Sequence, residues 1–460
     1  MFSAFANIFK IPDLRKKVLF TLGIITIYRL GTFLPVPGID VAALQGLLDT
    51  LGKGQGIEGD LVAIANLFSG GAISNAAIFG LGVMPYISAS IIFQVLTVVV
   101  PSLAALAKEG DAGRKKIQQY VRISTVFLSF FQATIICVGL AQFTSPKIVT
   151  STSVTSFAMS GALIITASCM LLMWLGEQID EYGIGNGISM IIMVGILARF
   201  IPGIGEIMSK ASLTTIVGSS SSDQLGLVQI LAILAVFAIM IMAVVMITRG
   251  QRRIPIQQAR RTRGTRTYGG QRTYLPIGVN MVNVIPIIFA SAIFIVPNAL
   301  SAVHAKALDG TALYYMTWVF SFFNYNTYWY NVFYVALIIF FAYFYAAITF
   351  KPDEVADRMK QYGNFIPGIR PGRQTEEYLE KILTHVTMFG AICLAGIAIV
   401  PQMGNNLFNV SYLVRGFFGG TGLLITVGVA LDLMSKVESN LLMHNYEGFL
   451  KKGRLKGRRG

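Results

Sequence analysis

Ten runs of apolar residues, each long enough to cross a lipid bilayer, follow one another along this chain. A helical crossing needs about 20 consecutive apolar residues. Such runs lie at about 18–36, 83–100, 120–142, 154–175, 187–208, 225–247, 277–300, 330–350, 382–401 and 413–436. Only 13% of the 460 residues are charged and 54% are hydrophobic, whereas a soluble domain carries about 25% charged residues. In hydrocarbon, backbone polar groups must be satisfied internally, which leaves helices or closed barrels. The alternating strands of a barrel, about 10 residues each, are not seen. The chain therefore reads as an all-α polytopic membrane protein.

Charge orients the crossings. Thirty of the 37 Lys and Arg fall in five segments: residues 1–17, 101–122, 249–272, 351–381, and Lys436 to the end. Excess Lys and Arg mark cytoplasmic loops. Ten crossings with both termini cytosolic fit that split. The opposite loops hold Lys53, Lys147, Arg199, Lys210, Lys306 and Arg415, and Arg29 sits within the first span. Segment 176–186 breaks the pattern with Glu177, Asp180 and Glu181, but acidic residues weigh little in this rule.

One stretch does not fit a simple count. Leu61–Ala107 is a run of 47 residues without a charge, too long for one crossing. If it crossed twice, segment 101–122 with its five cations would lie outside. It therefore crosses once, through roughly 83–100, and residues 61–80 sit at membrane depth without spanning. Such backbone survives there only if buried in protein or lining a wet cavity. Gly70, Gly71, Gly80 and Gly82 give it conformational freedom, and Pro85 suits the start of the next helix. The stretch reads as a short re-entrant helix hinged to a full one, with an apolar outer loop packed on the bundle as the alternative.

Two basic loops stand out. Segment 249–276, RGQRRIPIQQARRTRGTRTYGGQRTYLP, carries eight arginines among β-branched residues, which suggests an exposed hairpin turning near Gly264. That charge exceeds what orientation needs and suits a polyanionic partner: ribosomal RNA, anionic lipid or an acidic protein surface. In segment 351–381, FIPGIRPG has two Pro-Gly dipeptides that force a rigid turn presenting Arg370. This is either a docking loop or an ordinary connector.

Other chemistry finds no support. Cys137, Cys169 and Cys393 each lie in an apolar run, as packing residues do. The three histidines are dispersed, without metal-ligand spacing. GIGNG at 183–187 lacks the Lys-Ser/Thr of a phosphate loop and reads as a flexible interhelical turn. No nucleotide motif supplies energy. No metal or cofactor is expected, and the chain is read as not an enzyme.

At these loops the sequence resembles the bacterial SecY family. The residues that carry the resemblance are FLPVPGID (33–40), MPYISASI (84–91), GEQIDEYGIGNGIS (176–189), RGQRRIP (249–255), GIRPG (368–372) and FGGTGLLITVGVALD, from about residue 14 to the C-terminal KGRLKG. The resemblance implies ten transmembrane helices in two inverted five-helix halves, with a re-entrant plug helix at about 61–80. The expected divisions are a cytosolic segment 1–17, a first half 18–208, an external hinge loop 209–224, a second half 225–436 and a basic tail 437–460. A lateral gate would open mainly between the spans at 83–100 and 277–300.

The resemblance also implies residue roles. Val83, Ile87, Ile188, Ile192, Ile288 and Ile425 would form a pore ring; valine at the first position departs conservatively from the usual isoleucine. Without the family these six would read as packing or lipid-facing residues. Leu67, Ser69, Gly70, Gly71, Ser74 and Asn75 would belong to the plug, whose small residues bury little apolar area and suit weak seating. Arg252, Arg253, Arg266 and Arg370 would dock the ribosome or the ATPase SecA. SecE and SecG, preproteins, signal peptides and membrane lipid are the other implied partners, in the bacterial inner membrane. The implied activity is passive conduction of unfolded preproteins, with lateral release of hydrophobic segments. A secondary transporter is the alternative, but such proteins carry buried ionisable residues for coupling, and the span centres here are nearly free of charge. The external loop 301–329 is assigned no role.

Overall fold

The computed structural model describes residues 11–46, 69–141, 148–149, 153–211, 226–258, 261–263, 266–268, 272–281, 284–291, 293–294, 327–408 and 420–452. Within them every expected span is met by helix. These are α1 (Pro12–Gly31), α2 (Met84–Val99), α3 (Pro101–Lys108), α4 (Asp111–Ala141), α5 (Val154–Tyr182), α6 (Gly187–Lys210), α7 (Leu227–Arg249), α8 (Tyr328–Thr349), α9 (Pro352–Gln361), α10 (Arg373–Phe408) and α11 (Gly420–Lys452). The seventh span is represented by helical residues 285–291 and 293–294.

Among its described residues the charge-free run contains a single long helix, α2. It ends at Val100, whose extended backbone (φ −97°, ψ 113°) is what a following proline enforces. Pro101 then starts α3, which turns by 98°.

The chain divides into two compact units. One comprises residues 1–209, 411–417 and 425–460, the other 210–410 and 418–424. In the first, α4 and α5 pack through small side chains. Ala133, Cys137, Ala158 and Ala162 are buried around Phe157 and Ile165, and Cys137 Sγ sits in the space a side chain on Gly161 would fill. Cys137 and Cys169 are thus buried thiols. The last helix belongs mainly to this unit: Val437 packs with Leu14 and Ile184.

Two of the acidic residues that broke the charge pattern, Glu177 and Asp180, have local partners. Glu177 pairs with Arg122 at 2.8 Å and accepts from Gln118 at 3.1 Å. Asp180 Oδ1 accepts from the Gly187 N–H at 2.8 Å, and Asn186 Oδ1 accepts from Ser189 N–H at 3.0 Å. The turn expected to be flexible is therefore a bonded cap on α6, because Asp and Asn satisfy orphan N–H groups at a helix start.

In the second unit the basic segment forms the expected hairpin. β1 (Gln251–Gln258) pairs antiparallel with β4 (Arg272–Gly278), with Arg253 opposite Pro276. At the tip, β2 (Arg261–Arg263) pairs with β3 (Arg266–Tyr268), Arg263 opposite Arg266. That pairing brackets residues 264–265, so the turn expected near Gly264 lies outside the described residues. β5 (Asn364–Phe365) joins β1 at Gln257 and Gln258 only, which leaves Pro255 on a stretch with a free edge, where proline is tolerated. Ile254, Ile256 and Ile277 point into a core with Met359, Ile366 and Leu379. The two basic loops are thereby one folded platform.

Candidate functional site

Of the expected non-spanning segment 61–80, residues 69–80 are described; they and the following residues 81–82 are turns rather than helix. The physical reason is backbone sign. Gly70 (φ 64°), Gly71 (φ 89°), Ala76 (φ 48°) and Gly82 (φ 55°) are all left-handed, which interrupts a right-handed helix. Residues 61–68, including Leu67, lie outside the described residues.

The segment is tied to the end of α1 and the loop beyond it. Val36 N–H donates to Ala76 O at 2.8 Å and Ile78 N–H to Leu34 O at 2.9 Å, so Pro35 and Ala77 face each other as an isolated bridge. Asn75 Nδ2 donates to Thr32 O at 3.1 Å. Phe79 stacks on Tyr28, centroids 6.1 Å apart, over Gly31, where a Cβ would collide with its ring.

Two arginines complete the seat. Arg29 Nη1 donates to Gly70 O at 3.2 Å and Arg199 Nη2 to Ser74 Oγ at 2.9 Å. Tyr28 Oη reaches Ser69 O at 3.5 Å. Gly70 lies against Gly195 of α6 so closely that a Cβ on Gly195 would sit 2.9 Å from Tyr28 Oη and 3.1 Å from Gly70 Cα. Ser69, Ala72 and Phe79 are almost fully buried. Weak seating from small side chains was the expectation. Small residues instead let the backbone approach closely enough for polar bonds, and a bond to a charged group contributes about 1.5–3 kcal/mol. Tyr28, Thr32, Gly195 and Arg199 were not singled out in the sequence as part of this site.

The branched aliphatics continue from the segment. Val83 caps α2, and Ile87 N–H donates to Val83 O at 3.1 Å. Both are buried, as are Ile192 on α6 and Ile425 on α11. Ile188 and Ile288 are half-buried, and Ile188 reaches into the space beside Gly176. Val83–Ile87 and Ile188–Ile192 are each i, i+4 pairs on one helix face.

Arg252 and Arg253 are exposed on β1. Arg266 lies in β3, its side chain outside the described residues. Exposed Arg370 sits on the expected rigid turn: Ile369 N–H donates to Ile366 O at 3.1 Å, and Thr375 Oγ1 donates to Arg370 O at 2.9 Å. Gly368 and Gly372 take φ of 85° and 109°, which glycine adopts without strain. Among the described residues no His, Cys, Asp and Glu group could hold a metal.

Comparisons with known proteins agree with one another. The SecY family model matches residues 77–434. The protein translocase subunit SecY of Thermotoga maritima is 38% identical over 460 residues, covering 100% of both chains. The protein of the same name from Escherichia coli K12 is 41% identical over 445 residues, 97% of this chain and 96% of that one. Among solved structures, a protein-conducting channel superposes with a TM-score of 0.62 at 18% identity, covering 95% of this chain and 96% of that one. Sec61 in a canine ribosome-channel complex does so with a TM-score of 0.59 at 16% identity and the same coverages. These structures bear on the fold, and the ten-helix membrane fold expected from the sequence is theirs. With a family model matching most of its length and relatives identical at two residues in five, the chain belongs to the SecY family.

Proposed function

We propose that this chain is the channel subunit of a protein translocase, conducting unfolded preproteins across the membrane and releasing hydrophobic segments into lipid. The observation that carries the reading is segment 69–82, buried on polar bonds directly before Val83 and Ile87. The segment is the stopper, and the six aliphatics are the ring it closes. A ring of branched aliphatics fits around a polypeptide, limits its own collapse through stiff χ1 angles, and excludes hydrated ions by dewetting. Both termini are cytosolic, in the bacterial inner membrane.

Arg252, Arg253, Arg266 and Arg370 dock the partner that supplies energy, a ribosome or SecA. One of the structural relatives is a ribosome-bound channel, and the folded platform joining both basic loops supports the reading. SecE and SecG complete the complex. The chain itself is not an enzyme, and the transporter reading finds no favouring observation.

A disulfide tests the stopper. Pro35 and Ala77 are opposed between the Val36–Ala76 and Leu34–Ile78 bonds, a non-hydrogen-bonded antiparallel pair. Such pairs have Cα atoms about 4.5 Å apart, within the range for a disulfide. With Cys137, Cys169 and Cys393 replaced, P35C/A77C is expected to abolish preprotein translocation when oxidised and recover it on reduction. Full transport through the oxidised protein would refute the stopper. For the ring, replacing Ile87, Ile192 and Ile425 together by serine is expected to raise resting ion conductance in planar bilayers. Unchanged conductance would count against a constriction.

A further inference from the structure

We propose that the cavity between β1 and the membrane-entering part of α10 binds the headgroup and first acyl carbons of an anionic phospholipid. The cavity measures about 600 Å³, and its lining includes Arg252, Lys381 and His385. Its wall continues down α10 through Ile382, Val386 and Phe389. Lys381, His385 and Phe389 recur every fourth residue, on one helix face. From Lys381 to Phe389 the helix rises about 12 Å, from the charged end of the span into its apolar part. Val279, also in the lining, meets α10 at Gly390, where its carbonyl leaves no room for a Cβ.

Three features select the occupant. Among the described residues neither Arg252 nor Lys381 is in a salt bridge, so the cavity keeps its positive charge for a ligand. His385 Nδ1 lies 2.7 Å from Lys381 O; a carbonyl only accepts, so Nδ1 carries the proton and the ring is fixed at the mouth. Phe389 is 61% exposed at a depth where the surrounding solvent is hydrocarbon. A free phosphate or a soluble nucleotide would satisfy the cations and leave that strip bare. An anionic lipid satisfies both, and a zwitterionic one lacks the net charge. Arg252 also belongs to the proposed docking set, whereas Lys381 does not, so Lys381 separates the two roles.

The test uses the full chain in its purified complex, in phosphatidylcholine nanodiscs. These contain a minority of photoactivatable phosphatidylglycerol, or of phosphatidylcholine carrying the same reactive acyl chain. Labelling of residues 378–389 is read by mass spectrometry. The phosphatidylglycerol probe is expected to label about fivefold more than the phosphatidylcholine probe, the effect of one surface cation on an anionic lipid. Lys381→Gln should lower it to the phosphatidylcholine level, Lys381→Arg should retain it, and unlabelled phosphatidylglycerol should compete. Equal labelling by both probes, or full labelling of Lys381→Gln, overturns the proposal. So does competition by millimolar inorganic phosphate, or absence of label because another subunit covers the cavity. None of these outcomes bears on the stopper, whose disulfide test stands separately.

Discussion

Replacing Gly195 with valine is expected to open a resting leak. Gly195 and Gly70 meet backbone to backbone, with the Tyr28 hydroxyl over both. Any branched side chain on α6 at this point must displace residues 69–72 or push Tyr28 aside. Overpacking of this kind costs about 1–3 kcal/mol, which shifts a closed-to-open equilibrium by roughly 5- to 150-fold. Ion current through the unoccupied channel in a planar bilayer should rise accordingly, and Gly195→Ala should give a smaller rise. An independent route to the same state is Arg29→Ala with Arg199→Ala, which removes the bonds to Gly70 O and Ser74 Oγ without adding volume. If both kinds of variant assemble normally and remain tight to ions, the polar seat does not hold the channel shut.

Reversing charge at Arg370 should depress translocation by about tenfold or more while leaving the complex assembled. Arg370 is exposed, and its backbone is fixed by Thr375 and by the glycines on either side. Among the described residues it is in no salt bridge, so Arg370→Glu breaks no internal ion pair. What it changes is the surface offered to an anionic partner, where like charges face to face cost several kcal/mol. Arg373→Glu is the control. Arg373 pairs with Glu377 at 3.1 Å on the α10 surface, and exposed pairs of that kind contribute about 0–1 kcal/mol. Partner binding and preprotein transport should fall for the first variant and change little for the second. Normal transport by Arg370→Glu would remove this turn from the docking surface.

Part of the site was legible because lipid permits few compromises. The charge-free run was too long for one crossing, and the basic segments fixed parity, so a non-spanning segment before Pro85 followed from composition alone. The hairpin followed from alternation and arginine content, and the turn at Arg370 from its Pro-Gly pairs. The turns of residues 69–80, where helix was expected, were not legible, because periodicity cannot report the sign of φ at Gly70, Gly71 and Ala76. The seat was also hidden. Arg29 was visible as a charge within the first span, where charges are costly enough to signal function, and Arg199 only as one of the few cations outside the basic segments. Their shared target was not visible.

What the chain alone determined is therefore its topology: which segments are apolar, which are basic, and where the run between Asp60 and Lys108 stops being able to span. These are properties of consecutive residues, and the bilayer judges residues consecutively. Only the tertiary structure decided that Arg29 reaches across 41 residues to Gly70 and Arg199 across 125 to Ser74. It alone put Val437 of the last helix against Leu14 and Ile184. Which helix faces meet is set by the fit of small residues such as Gly31, Gly70 and Gly195 against large neighbours. That fit depends on residues far apart in the chain, and local spacing carries no record of it.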